Sequence, residues 1–126
     1  MARCEPIGTI ETPFAEPEEA PDQGEGTDAI GTISVAPEYQ EGLHGLHPGM
    51  DLDVIWFADR AERSILRHED RDVGVFALRT QHRPNPIGIT TCEIVDITGS
   101  SIDVRGVDML NGTPLLDLKP SLMADG

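Results

Sequence analysis

Apolar and polar positions alternate along much of this chain, and a period of two predicts strands. Ile7 and Ile10 anchor a first short strand within residues 4–12, which Pro13 ends. Residues 15–28, rich in Glu, Pro, Gly and Asp, read as a loop, and residues 29–35 as a second strand. Residues 37–48 are irregular. Residues 52–58 are a short apolar run with β-branched and aromatic members, too short for a helix and suited to a buried strand. Residues 73–79 read as another strand. Residues 87–97 and 101–107 form a hairpin around Thr98-Gly99-Ser100, and residues 115–118 a last strand. Only residues 59–71 read as helical: Asp59 can cap them, and Arg60, Arg63, Arg67 and Arg71 recur at three- and four-residue steps on one face. Strands do not alternate with helices, so a parallel α/β sheet is not expected. The predicted fold is mainly β: one domain over residues 1–126, with a mostly antiparallel sheet curled toward a barrel and one short helix.

Composition supports this picture. Thirteen glycines and ten prolines in 126 residues point to many turns. With one Trp, one Tyr and three Phe, the core must rest on Ile, Leu and Val. Charge adds something else. The 23 acidic residues face nine basic ones, only one of them Lys, for a formal charge of -14. Such a chain repels itself until salt screens it, and the Debye length falls to ~3 Å at 1 M. An acidic, Lys-poor surface is therefore the expected mark of a halophile. It also argues against broad binding of nucleic-acid phosphates. The exception is a local cluster of Arg60, Arg63, Arg67, Arg71, Arg79 and Arg83. Cys4 and Cys92 form no metal or disulfide pattern, and His44 and His47 lack partners at ligand spacing, so no metal is expected. The longest apolar run, residues 54–58, is far short of a membrane span, and the chain opens without an apolar leader. A cytoplasmic protein is expected.

Candidate chemistry is concentrated between Arg79 and Lys119. In Arg79-Thr80-Gln81-His82-Arg83-Pro84-Asn85-Pro86-Ile87-Gly88, two prolines hold Arg83 and Asn85 extended. A stiff loop loses little entropy when it binds. Arg79 and Arg83 can each grip a carboxylate or phosphate with two N–H groups, and Asn85 both donates and accepts. A rigid surface turn with solvated arginines fits the same residues. In Asp108-Met109-Leu110-Asn111-Gly112-Thr113-Pro114, Asp108 can accept from a ribose hydroxyl or an adenine amine. A plain type I′ hairpin at Asn111-Gly112 is the alternative. Asp117 and Lys119 share one side of a strand. Pro21-Asp22-Gln23-Gly24 offers polar groups and a glycine in the first long loop. No P-loop and no Gly-x-Gly-x-x-Gly occurs.

Taken together, these segments resemble one family. Pro6-Ile7-Gly8-Thr9-Ile10-Glu11-Thr12-Pro13-Phe14 looks like its opening strand, and Gly74-Val75-Phe76-Ala77-Leu78-Arg79 with His82-Arg83-Pro84-Asn85-Pro86-Ile87-Gly88 like its signature. Asn111-Gly112-Thr113-Pro114 and Asp117-Leu118-Lys119-Pro120 complete the likeness, which runs from about residue 5 to residue 120. The chain is identified as a member of the TsaA-like family of tRNA (N6-threonylcarbamoyladenosine-37, N6)-methyltransferases. The resemblance implies a non-Rossmann β-barrel domain that binds S-adenosyl-L-methionine, forms a homodimer and acts on the tRNA anticodon loop. Matching positions place cofactor contacts at Gln23, Gly24, Asp59, Arg60, Arg79, Ile89, Met109, Leu110, Asn111 and Gly112, with Arg83 and Asn85 shaping the site. Asp108 and Asp117 are the candidate bases for proton removal from N6.

Departures bear on the substrate more than on the cofactor. Met50-Asp51-Leu52 stands where the family has Ser-His-Leu, and Ser121 where it has Tyr. The extra C-terminal domain of long bacterial members is not expected after Gly126. The competing expectation is a cofactor-binding regulatory module or a small-molecule methyltransferase. The acidic charge favours that alternative, and the arginine cluster favours RNA.

Overall fold

The computed structural model describes residues 3–21 and 27–122. Six strands close into an antiparallel barrel: β1 (Gly8–Glu11), β2 (Ile30–Val35), β3 (Asp51–Phe57), β6 (Ile87–Thr98), β7 (Ser101–Arg105) and β8 (Thr113–Pro120). Two further short strands, β4 (Arg67–His68) and β5 (Val73–Gly74), pair as a separate hairpin. The barrel order is β1-β2-β7-β6-β3-β8, and β8 returns to β1 through Gly8↔Leu115 and Ile10↔Thr113. Closure leaves no unpaired sheet edge in the barrel.

The period-two pattern sets what points inward. β3 buries Leu52, Val54 and Trp56, β6 buries Cys92 and Ile94, and β7 buries Ile102 and Val104. Ile10, Ile33, Val35 and Leu115 come from the remaining strands, and Val107 and Met109 from the chain just beyond β7. Each such side chain contributes ~1.5–3 kcal/mol relative to exposure. A six-stranded barrel is narrow, so these side chains fill it. Gly88 faces Trp56 across β6 and β3, and a Cβ there would meet the indole at 2.2 Å. This glycine is the seat on which the one tryptophan packs.

Two expectations are corrected. Residues 59–71 form no helix: they run as turns into β4. Their arginines repeat with helical spacing, but Ala61, Ile65 and Leu66 do not make an apolar stripe to bury, and Leu66 is 63% exposed. Local side chains hold the segment instead. The Glu62 N–H donates to His82 Nδ1 at 2.9 Å, and the Ser64 N–H and hydroxyl both donate to Glu62 Oε1. Those Ser64 bonds hold the Glu62 carboxyl below its ordinary range, the hydroxyl's contribution being the larger. Helical structure is 3-10 and lies elsewhere: Pro17–Glu19, Pro37–Leu43 and Val75–Ala77. The expected strand over residues 73–79 therefore stops after two residues. Val75 is buried but Phe76 is 78% exposed and Leu78 only half-buried, so alternation fails there.

Candidate functional site

The segments after β5 and β7, together with the chain before residue 22, border one cleft at the barrel rim. Its volume is about 760 Å³, and its walls include Pro17, His68, Arg79, His82, Asp108 and Leu110. A second cleft of about 460 Å³, bordered by Asp51, Ile89, Thr91, Glu93, Arg105 and Gly106, adjoins it. Arg79, exposed, and Asp108 line both. The larger volume lies within the range of small-molecule and cofactor sites. Its wall is mixed, with Ala77, Leu78 and Met109 beside Asp70, Arg71, Gln81 and Asp108. Apolar stretches interrupted by carboxylates and guanidinium groups suit a nucleoside-bearing ligand that carries charge. His68 Nδ1, at this wall, is buried without a hydrogen-bond partner among the described residues.

Asp108 is anchored from the core side. The Thr90 hydroxyl donates to its Oδ1 at 2.6 Å, and Thr90 Oγ1 accepts the Trp56 indole N–H at 3.0 Å. Burial, reinforced by the Asp108 carboxylate, pushes the neighbouring Cys92 thiol up to about 12. His82 accepts the Glu62 N–H on Nδ1, so the neutral imidazole carries its proton on Nε2.

The signature loop is a built structure. Arg83 donates to the carbonyls of Leu78 at 3.0 Å and Thr80 at 3.1 Å and lies 6.0 Å from the Phe76 ring centre. It therefore shapes the loop that presents Arg79. The Asn85 side chain is exposed and lines neither cleft, while its carbonyl accepts the Ile87 N–H. Asn111 and Gly112 also serve the frame. Asn111 Oδ1 accepts the Thr12 N–H at 3.0 Å, and the Asn111 and Gly112 N–H groups donate to Phe14 and Ile10 carbonyls. The turn here is not type I′. Gly112 alone has positive φ, at 84°, and the Thr113 N–H donates to Leu110, as in a type II turn.

Several expected site residues fall apart from this cleft. Arg60 donates to the Ala15 carbonyl at 3.1 Å and pairs with Glu16, and neither it nor Asp59 lines either cleft. Asp117 pairs with Lys119 at 3.4 Å on the outside of β8 and lines neither cleft. Gln23 and Gly24 lie outside the described residues. The arginine face is not formed: Arg63 donates to the Pro84 carbonyl and packs over Phe57, Arg67 pairs with Asp72, and Arg71 turns to the cleft. Sequence reading passed over Trp56, His68, Thr90 and the role of His82. Thr90 had one signal, a polar side chain at an inward position of β6.

The class is thus a closed antiparallel barrel whose rim loops build a cofactor-sized cleft, with no Rossmann sheet among the described residues. Residues 9–124 match the model of the tRNA-methyltransferase O N-terminal domain, and the chain belongs to that family. It is 44% identical over 119 residues to a probable S-adenosyl-L-methionine-binding protein of Halobacterium salinarum, covering 93% of this chain and 96% of that one. A 47-residue stretch is 49% identical to the mouse tRNA (adenine(37)-N6)-methyltransferase, covering 37% of this chain and 11% of the mouse protein. A crystal structure of TrmO superimposes with a TM-score of 0.83 at 30% identity, covering 97% of this chain and 58% of that chain. The chain therefore spans little more than half of that solved protein.

Proposed function

We propose that this chain binds S-adenosyl-L-methionine in the rim cleft and directs methyl transfer to N6 of adenosine 37 in the tRNA anticodon loop, with threonylcarbamoyladenosine as the acceptor. The observation that carries the reading is the convergence of the family's signature loop and the Asp108 segment on one cleft, at Arg79 and Asp108. Bound S-adenosyl-L-methionine supplies a methyl group already activated on a sulfonium. The protein's work is then mainly placement. Arg79 offers a guanidinium at the junction of the clefts, and His82 offers an Nε2 proton. An acceptor nitrogen that gains a methyl must shed a proton, and Asp108 stands where both clefts can reach it. An anticodon-loop base can enter such a cleft without opening a duplex.

A protein acting on tRNA works in the cytoplasm, and the named relative from Halobacterium salinarum fits a salt-rich one. Exposed Ile87 on the outer face of β6, opposite Phe57, supplies an apolar position for a homodimer. A second reading is a cofactor-binding module without tRNA activity. What favours it is the internal engagement of Arg60, Arg63 and Arg67, which leaves those side chains tied to the chain itself. Mass spectrometry of tRNA nucleosides from cells with and without the gene separates the two. Loss of the N6-methylated nucleoside supports the enzyme, and an unchanged profile with calorimetric cofactor binding supports the module.

A further inference from the structure

A thread of hydrogen bonds runs from Trp56 in the barrel core to the cleft, and Gly88 makes the room in which Trp56 packs. A Cβ at that position would lie 2.2 Å from Trp56 Cζ2 and 2.3 Å from Cε2, so only glycine lets the indole pack against β6. Trp56 is 3% exposed, and its single N–H is spent on Thr90 Oγ1. With that oxygen already accepting, the one hydroxyl proton of Thr90 goes to Asp108 Oδ1, 2.6 Å away. A hydrogen bond to a carboxylate is about twice as strong as a neutral one.

The barrel does not need this hydroxyl. The other inward residues of β3 and β6 are Leu52, Val54, Trp56, Gly88, Cys92 and Ile94, and none of them carries a hydroxyl. A buried hydroxyl is costly unless bonded, and valine has the same shape. Thr113, also buried, spends its hydroxyl on the Leu110 carbonyl in its own turn. Thr90 instead reaches from β6 to a different segment, 18 residues on. Its β-branched side chain is stiff about χ1, and its backbone is locked in register with Val54 of β3. Asp108 shares the cleft walls with cationic side chains: Arg79 lines both clefts, Arg71 the larger, and Arg105, paired with Glu93, the smaller.

We propose that Thr90, oriented by Trp56, is a positioning residue that sets the direction of the Asp108 carboxylate at the junction of the two clefts. This rests on the reading that Asp108 receives the acceptor's proton. The test compares Thr90→Val, which keeps shape and removes the hydroxyl, with Thr90→Ser, which keeps the hydroxyl. Methyl transfer to total tRNA from cells lacking the gene gives kcat and KM. Calorimetry gives the S-adenosyl-L-methionine Kd, and crystal structures of the variants give the Asp108 rotamer. Thr90→Val should lower kcat about 10- to 100-fold, with tRNA KM and cofactor Kd within about twofold of wild type. Thr90→Ser should restore kcat to within about threefold, since the anchoring bond returns. The carboxylate should turn away in the valine variant and stay in place in the serine variant. If Thr90→Val fails to fold, Trp56→Phe carries the test, because it keeps an aromatic ring, removes the N–H and should produce the same rotamer change with a smaller loss of kcat. An unmoved carboxylate in the variant lacking the bond, or equal defects in Val and Ser, overturns the proposal. If the wild type binds cofactor yet methylates no tRNA, the enzymatic reading fails, while the rotamers still decide the role of Thr90.

Discussion

Gly88 shows how one residue can carry a motif. Within Arg83-Pro84-Asn85-Pro86-Ile87-Gly88, the prolines hold the loop extended, and the glycine makes room for an indole on the facing strand. Gly88→Ala should lower stability by ~1–3 kcal/mol, the usual cost of overpacking, as a shift of the urea midpoint. An unchanged midpoint would mean that Trp56 has another place to go. Cys92 makes a second residue-scale case. Its thiol is raised from 9.0 to about 12 by burial first and by Asp108 second. An unfolded thiol loses its proton near its ordinary value, whereas the native one keeps it, so the native state binds more protons across pH 9 to 12. Stability is therefore full below about pH 9 and falls as pH rises toward 12, by up to about 1.4 kcal/mol per unit. Cys92→Ala should flatten the decline in urea melts taken between pH 8 and 11. A thiol reagent should find Cys4 in the native protein and both cysteines in guanidinium, and two native thiols would contradict the burial.

At the scale of elements, the segment between β3 and β4 decides how the arginines are used. The helical repeat of Arg60, Arg63, Arg67 and Arg71 was legible, but repetition of polar residues supplies nothing to bury, and tertiary packing holds most protein helices. Without the helix, each arginine finds its own partner. Arg63 ties this segment to the signature loop through the Pro84 carbonyl at 2.8 Å. Arg63→Ala should therefore weaken cofactor binding by ~1 kcal/mol through loosening of that loop, measured by calorimetry. The Arg67–Asp72 pair sits at exposed side chains, so Arg67→Ala should change the urea midpoint by no more than ~0.5 kcal/mol equivalent. Arg79→Ala should reduce cofactor affinity directly, since its guanidinium borders both clefts. Weakened tRNA binding in Arg67→Ala, with Arg63→Ala neutral, would restore the picture of an RNA-facing arginine surface.

For the molecule as a whole, the charge of -14 meets four ion pairs among the described residues, all at exposed side chains. Exposed pairs of this kind add little, so repulsion among the remaining carboxylates is left to salt. The melting temperature by circular dichroism should rise steadily from low to multimolar KCl. A flat profile would show that the acidic surface is tolerated without screening. The barrel is also held by pairing between distant segments, as in Gly8↔Leu115 and Thr12 with Asn111. Loss of the β1–β8 contact should accordingly unfold the barrel as a unit rather than fray one end.

The strands were readable because alternation is local: Leu52, Val54 and Trp56 declare one buried face within seven residues, and the stiff Pro-Asn-Pro loop declares itself in three. The mainly β class followed from such short-range signals, and so did the choice of Arg79, Arg83 and Asp108 as candidate site residues. Three things did not: that Asp117 lies outside the clefts while Asp108 lines both, that Asn111 fastens a loop, and that Trp56 and Thr90 stand behind the carboxylate. Each depends on which strand lies beside which and in what register. Trp56 and Thr90 are 34 residues apart, and Thr12 and Asn111 are 99 apart. No local period encodes those separations. They are set when the barrel closes, because only then does the ladder of backbone hydrogen bonds assign each inward side chain its neighbours.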